Sequence, residues 1–135
     1  MTDGLSSSAE RARTILVLDD EPTIQLLITR CLEREGFAVL TATTGSEALT
    51  VLATHNERIA LLVVDIKLPD MAGWEFVHHS AARHGELPVL YLSGVDQRGR
   101  TDVLHQRTAF LPKPFANAEL LARVHELLKE ARHGE

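Results

Sequence analysis

The sequence predicts an α/β fold, a five-stranded parallel sheet with helices packed on both of its faces. Two observations carry this expectation. Five short apolar runs punctuate the chain: TILVL (14–18), AVLTA (38–42), ALLVV (60–64), PVLYL (88–92) and AFL (109–111). None shows the clean polar alternation of a strand with one wet face, so each reads as a strand covered on both sides. Between the runs lie longer stretches with helical spacing, and a strand–helix alternation of this kind closes into a parallel sheet through right-handed crossovers.

The elements can be justified in order. Residues 1 to about 13 are polar and Ser-rich and read as a flexible leader, with one domain over 14–131 and a short tail at 132–135. After the first strand, Ile24, Leu27, Ile28, Cys31 and Leu32 form the stripe of a helix that ends near Gly36. Thr44-Gly45-Ser46 opens a second helix, whose apolar positions are Ala48, Leu49, Leu52 and Ala53. Trp74, Phe76, Val77, Ala81 and Ala82 mark a third. A fourth, over roughly 96–107, is weak: Gly99 interrupts it, and Val103 and Leu104 are its apolar residues, so a short or mobile helix is expected. Leu120, Leu121, Val124, Leu127 and Leu128 mark a fifth, with Asn117 as its expected N-cap.

Composition narrows the function. The chain has 135 residues, 44% of them hydrophobic, which suits one domain with one core. The net charge of −5 repels phosphate backbones, and Lys and Arg are nowhere denser than the pair Arg98 and Arg100, so no nucleic-acid partner is expected. The single cysteine, Cys31, rules out an internal disulfide, suits a reducing compartment, and falls on an apolar helix face as a small buried hydrophobe. The first residues lack the apolar core of a signal peptide, and no run approaches the ~20 apolar residues of a membrane span. A soluble, cytoplasmic protein is expected. The seven histidines lie away from the strand ends and read as surface or boundary residues.

The chemistry lies where the strands stop. The first ends in Asp19-Asp20-Glu21, the third in Asp65, the fourth in Ser93-Gly94 and the fifth in Lys113-Pro114. In a parallel sheet these ends share one edge, where ligands bind. Carboxylates about 4 Å apart repel by ~4 kcal/mol at an effective dielectric of 20, and one lysine offsets only part of that charge. A divalent cation would neutralise the rest. The donors are oxygens, with no Cys or His at metal spacing, which favours Mg2+ over zinc or copper. Such an ion beside an aspartate, a hydroxyl and an ammonium is equipment for phosphoryl transfer, with the aspartate as nucleophile.

At this point the residues resemble the receiver domains of two-component response regulators, over about 14–131. ILVLDDEP is similar to the family's acidic first-strand motif, and VVDIKLPDMAG to its D-x-x-M-P-x-M-D-G pattern. YLSG and LPKPF complete the set, with the order and spacing of the family. The resemblance implies a flavodoxin-like sheet of order 2-1-3-4-5 and a cis Lys113–Pro114 bond. It implies that Asp65 accepts a phosphoryl group from a histidine kinase or a His-containing phosphotransfer protein. Asp20, Asp65 and the backbone carbonyl of Lys67 would hold Mg2+, with Asp19 acting nearby or through water. Lys113 would pair with Asp65 and then with the phosphoryl oxygens, while Ser93 moves to hydrogen-bond them. Phe110 stands where the family often has a switch tyrosine; it can swing into the space Ser93 vacates but presents no hydroxyl. Ala72 replaces a common acidic residue before Gly73, and Leu68 replaces a methionine. The side chain of Lys67 is expected at the mouth of the site, where its ammonium would hinder attacking water and slow loss of the phosphoryl group.

The function that follows is a phosphorylation-dependent switch that changes the face made by the fourth helix, fifth strand and fifth helix, with dimerisation on phosphorylation as one outcome. A haloacid-dehalogenase-like phosphatase would place D-x-D on its first core strand; here the nucleophile candidate is on the third, and its second neighbour is Lys67. The alternative is a receiver-like scaffold that works without phosphorylation. Met1 opens the sequence and no output segment follows residue 131, which tilts the expectation toward a stand-alone receiver over one cut from a hybrid kinase.

Overall fold

The computed structural model describes residues 13–55, 58–93 and 107–133. The elements run β1 (Thr14–Leu18), α1 (Pro22–Arg34), β2 (Ala38–Ala42), α2 (Gly45–His55), β3 (Ile59–Asp65), α3 (Gly73–His84), β4 (Val89–Ser93), β5 (Thr108–Pro112) and α4 (Asn117–His133). The five strands form one parallel sheet in the order β2-β1-β3-β4-β5. The expected leader at 1–13 and the expected helix at 96–107 fall almost wholly outside the described residues.

The uninterrupted apolar runs follow from this layering. Ile15, Val17, Leu61, Val63, Leu90 and Leu92 face α1 and α4, where they meet Ile28, Leu32, Leu120, Val124 and Leu127. Their neighbours Leu16, Leu18, Leu62, Val64, Val89 and Tyr91 point the other way, toward Ala48 and Leu52 of α2 and Phe76 and Val77 of α3. Successive strand residues point to opposite faces, so a sheet covered on both sides needs apolar residues at every position. Burying a Leu, Ile, Val or Phe side chain contributes about 1.5–3 kcal/mol, and these two layers hold the sheet flat against its helices.

Some local expectations are adjusted. β2 is an edge strand with Ala38 and Thr41 exposed, so it is less covered than the other runs. Leu27 and Trp74, assigned to buried stripes, are exposed on α1 and α3. Asn117 is the first helical residue of α4, and the cap is made by Glu119, whose carboxylate accepts the Ala116 N–H at 2.9 Å. β5 extends beyond AFL to Thr108–Pro112. Cys31 is buried, as read. Among the described histidines, His78, His79 and His125 are exposed and His55 and His84 half-buried.

Candidate functional site

The register of the sheet brings the strand ends together. Asp65 closes β3 opposite Leu92, and Ser93 closes β4 opposite Pro112. The Lys113 N–H donates to the Ser93 carbonyl at 2.7 Å, which carries Lys113 over the same edge. The Lys113–Pro114 peptide is cis. Asp19 follows β1 directly and is held there by two backbone bonds. Its own N–H donates to the Ala42 carbonyl at 3.2 Å, and its Oδ1 accepts the Glu21 N–H at 2.8 Å.

Lys113 is the hub. Its Nζ lies 3.1 Å from Asp65 Oδ2, 3.1 Å from Asp19 Oδ2 and 2.8 Å from Glu21 Oε1. Carboxylate oxygens of Asp19, Glu21 and Asp65 all lie within 4.8 Å of one another. Three negative charges against one positive leave a formal charge of about −2 in a pocket where Asp19 is 0% exposed and Asp65 about 10%. Burial pulls the Lys113 ammonium toward deprotonation, but the contacts with Glu21, Asp19 and Asp65 outweigh it and push its pKa above the usual lysine range. Burial raises the Asp19 carboxyl above its usual range; Asp65 adds to this, while the Glu21 N–H and Lys113 oppose it. Asp19 Oδ2 has a charge contact to Lys113 but no well-formed hydrogen bond. A buried, excess-negative cluster of oxygens is chemically suited to a hard divalent cation.

The loop after β3 is compact. The Gly73 N–H donates to the Ile66 carbonyl at 2.7 Å, Leu68 N–H to the Met71 carbonyl at 3.2 Å, and Lys67 forms an antiparallel bridge with Ala72. The Lys67 N–H donates to Asp65 Oδ1 at 3.1 Å, so Lys67 holds one carboxylate oxygen while Lys113 holds the other. Gly73 is required by this packing: a Cβ there would collide with the Asp65 carbonyl oxygen and approach Val64 Cγ1 at 3.0 Å. The side chain of Lys67 is exposed.

Of the residues singled out in the sequence, Asp19, Asp65 and Lys113 meet in direct contact, with Ser93 buried on the adjoining strand end. Asp20 is exposed and is not among the clustered carboxylates, while Glu21, to which no separate role was given, is one of them. Phe110 is partly buried and stacks on Tyr91, with ring centroids 5.4 Å apart and planes inclined by 23°. Asp70 was also passed over. Its carboxylate accepts the N–H groups of Gly45 at 2.8 Å and Ser46 at 3.0 Å, joining the loop after β3 to the start of α2. The signal for Glu21 was the third acid of the Asp-Asp-Glu run; for Asp70 it was only an Asp after a turn proline.

Comparison with known proteins agrees with this geometry. The model of the response regulator receiver domain matches residues 15–125. A probable transcriptional regulatory protein of Mycobacterium tuberculosis, TcrX, is 34% identical over 120 residues, covering 86% of this chain and 50% of that protein. The sensor kinase CckA of Brucella abortus is 29% identical over 128 residues, which are 93% of this chain and 13% of the kinase. The chain thus spans half or less of the length of these relatives. Among solved structures, a response regulator receiver domain protein from Clostridium thermocellum superposes with a TM-score of 0.82 at 25% identity, covering 91% of this chain and 99% of the other. A CheY-like receiver domain protein from Methanospirillum hungatei gives 0.79 at 28% identity, covering 91% and 98%. No helix among the described residues is long and apolar enough to cross a membrane. With fold, strand-end acids and sequence match in agreement over the same span, the chain belongs to the response regulator receiver domain family.

Proposed function

We propose that this protein is a phosphorylation-controlled switch of a two-component or phosphorelay system, with Asp65 as the phosphoacceptor. The observation that supports it most is the seating of Asp65: one oxygen held by the Lys67 N–H, the other 3.1 Å from an ammonium, and the side chain still about 10% exposed. A nucleophile held from two sides is oriented toward an incoming phosphorus atom without ordering anything further. In the transfer, an Asp65 oxygen bonds to phosphorus as the P–N bond of a phosphohistidine breaks, and the electron pair returns to the imidazole of the donor, which takes up a proton. The donor is a histidine kinase or a His-phosphotransfer protein, met in the cytoplasm. The protein does not turn over a small-molecule substrate; its own acceptor is loaded and later hydrolysed.

The residues at the site fit Mg2+. Asp65, the Lys67 carbonyl and Asp20 or Glu21 would hold it, with Asp19 behind them. When bound, Mg2+ supplies positive charge that offsets the carboxylates and the phosphoryl oxygens. Lys113 leaves its three carboxylates to pair with the new phosphoryl group, which carries roughly −1.5 to −2 of charge. Ser93 hydrogen-bonds the same group, and Phe110 moves inward from its stack on Tyr91. The readout is then a change in the face that carries β5 and α4. A protein partner recognises that face, and a second copy of the chain is one candidate.

Intact-mass analysis after incubation with acetyl phosphate and Mg2+ tests this reading, comparing wild type with Asp65→Asn. One phosphoryl group that requires both the cation and Asp65 is expected. Absence of an adduct with acetyl phosphate and again with a phosphohistidine donor would reject the switch in favour of a scaffold that works without phosphorylation.

A further inference from the structure

The loop after Asp65 is tied at two places within itself and to two other elements, first to β4, where the Ile66 N–H donates to the Leu92 carbonyl at 2.9 Å. The internal ties are the Gly73–Ile66 and Leu68–Met71 hydrogen bonds, reinforced by the Lys67–Ala72 bridge. The tie to α2 is Asp70, whose two carboxylate oxygens accept the N–H groups of the first two residues of that helix, at 2.8 and 3.0 Å. A helix start leaves N–H groups without intrahelical partners, and its dipole favours an anion, so this contact is directional as well as charged. Beside it the Met71 side chain lies against Gly45 so closely that a Cβ on that glycine would overlap its sulfur. The Gly45 N–H bond is the main reason the Asp70 carboxyl sits below the usual carboxylate range. Asp70 is exposed and lies five residues beyond Asp65, so it has no part in the reacting group.

We propose that Asp70 is a positioning residue for phosphorylation: by docking loop 66–72 onto the start of α2, it fixes the backbone of Lys67. That backbone does two things at the site. Its N–H holds Asp65 Oδ1 at 3.1 Å, and its carbonyl is the oxygen offered to the cation. The second of these rests on the reading of Asp65 as an Mg2+-dependent acceptor. Without the Asp70 tie none of the hydrogen bonds described here joins the loop to α2, while the Ile66 N–H still holds its start to the Leu92 carbonyl of β4 at 2.9 Å, so residues 67–71 can shift relative to α2. The carboxylate then loses its second anchor, and the carbonyl loses its fixed direction.

The control is Thr44. Its Oγ1 accepts the Glu47 N–H at 3.0 Å, so it caps the same helix end from the α2 side. Asp70→Ala, Asp70→Asn and Thr44→Ala would be compared for Mg2+ affinity by calorimetry, and for phosphorylation rate at limiting and saturating Mg2+. Asp70→Ala is expected to weaken Mg2+ binding about three- to tenfold, less than the 10–100-fold typical of a residue bonded directly to a ligand. Its phosphorylation rate should fall at limiting Mg2+ and return to within about twofold at saturation, since the acceptor itself is intact. Asp70→Asn should recover part of the affinity through its amide oxygen. Thr44→Ala should destabilise the fold yet bind Mg2+ as wild type does. Wild-type affinity in Asp70→Ala, or an equal loss in Thr44→Ala, would overturn the proposal. Wild-type protein that neither binds Mg2+ nor accepts a phosphoryl group would instead remove the acceptor reading, and this inference with it.

Discussion

Replacing Lys113 by methionine asks how much of the fold depends on one ammonium. Methionine keeps most of the aliphatic stem and removes the charge. What remains is Asp19 and Asp65, with oxygens within 4.8 Å and almost no access to water. Two unit charges at that distance repel by ~0.9 kcal/mol in water and ~3.5 kcal/mol at an effective dielectric of 20, a repulsion that wild type offsets with the Lys113 ammonium and the variant leaves uncompensated. The burial of both groups places the value toward the upper figure, which agrees with the about 3–5 kcal/mol lost when one partner of a buried pair is removed. Glu21, 58% exposed, adds at most about 1 kcal/mol. A loss of about 3–4 kcal/mol is therefore expected, a large part of the about 5–15 kcal/mol that usually holds a domain folded. Urea unfolding followed by circular dichroism, at pH 7.5 and pH 5 with chelator present, measures it.

The sign of the pH effect follows from Asp19. Its carboxyl pKa is raised in the folded state above the unfolded value, so the cost of its charge is present at neutral pH and is relieved as pH falls through the folded value. Lys113, shifted upward, stays protonated at both pH values and does not contribute to the difference. The deficit of Lys113→Met should thus shrink at pH 5, and Asp19→Asn in the same chain should restore most of it. A variant as stable as wild type, or a deficit identical at both pH values, would refute this account of the site.

Three further outcomes are expected. Gly73→Ala should cost about 1–3 kcal/mol in the same urea assay, because its Cβ meets the Asp65 carbonyl and backbone cannot yield as a flexible side chain would. Asp20→Asn should weaken Mg2+ binding by about tenfold or more, and Glu21→Gln by less; calorimetry showing the reverse order would identify Glu21 as the ligand. Lys67→Ala should speed hydrolysis of phosphorylated Asp65 about two- to fivefold, as expected for an exposed charge worth about 0.5–1 kcal/mol, and an unchanged decay of the adduct mass would reject a role for its ammonium.

The sheet was legible because burial on both faces leaves nothing but apolar residues between the turns. β1 and β2 lie at the residues read for them, while β3 and β4 each continue one residue past the apolar run to end on Asp65 and Ser93. β5 was read short because Thr108 is polar and Pro112 lacks a backbone N–H, so neither extends the apolar run AFL, yet the strand is last in the strand order, where an edge tolerates proline. Helix periodicity found the buried faces of α1 and α3 but also swept in Leu27 and Trp74, since hydrophobicity alone does not say which apolar residue a helix turns outward. At the site, Asp19, Asp65, Ser93 and Lys113 announced themselves by standing where apolar runs stop. Glu21 and Asp70 did not, because their roles come from where a turn aims a side chain, and one-dimensional spacing does not carry that.

The distance along the chain between Asp19, Asp65 and Lys113 also governs the order in which the molecule can be completed. Synthesis delivers the acids of β1 and β3 well before the cation that reconciles them, and elongation at about 5–20 residues per second leaves an interval of seconds between them. During that interval a nascent sheet ending at β4 carries its mutual repulsion without relief, and docking of β5 is the event that brings Lys113 to both aspartates. A chain that stops before β5 therefore lacks the ammonium that Asp19 and Asp65 share in the folded site.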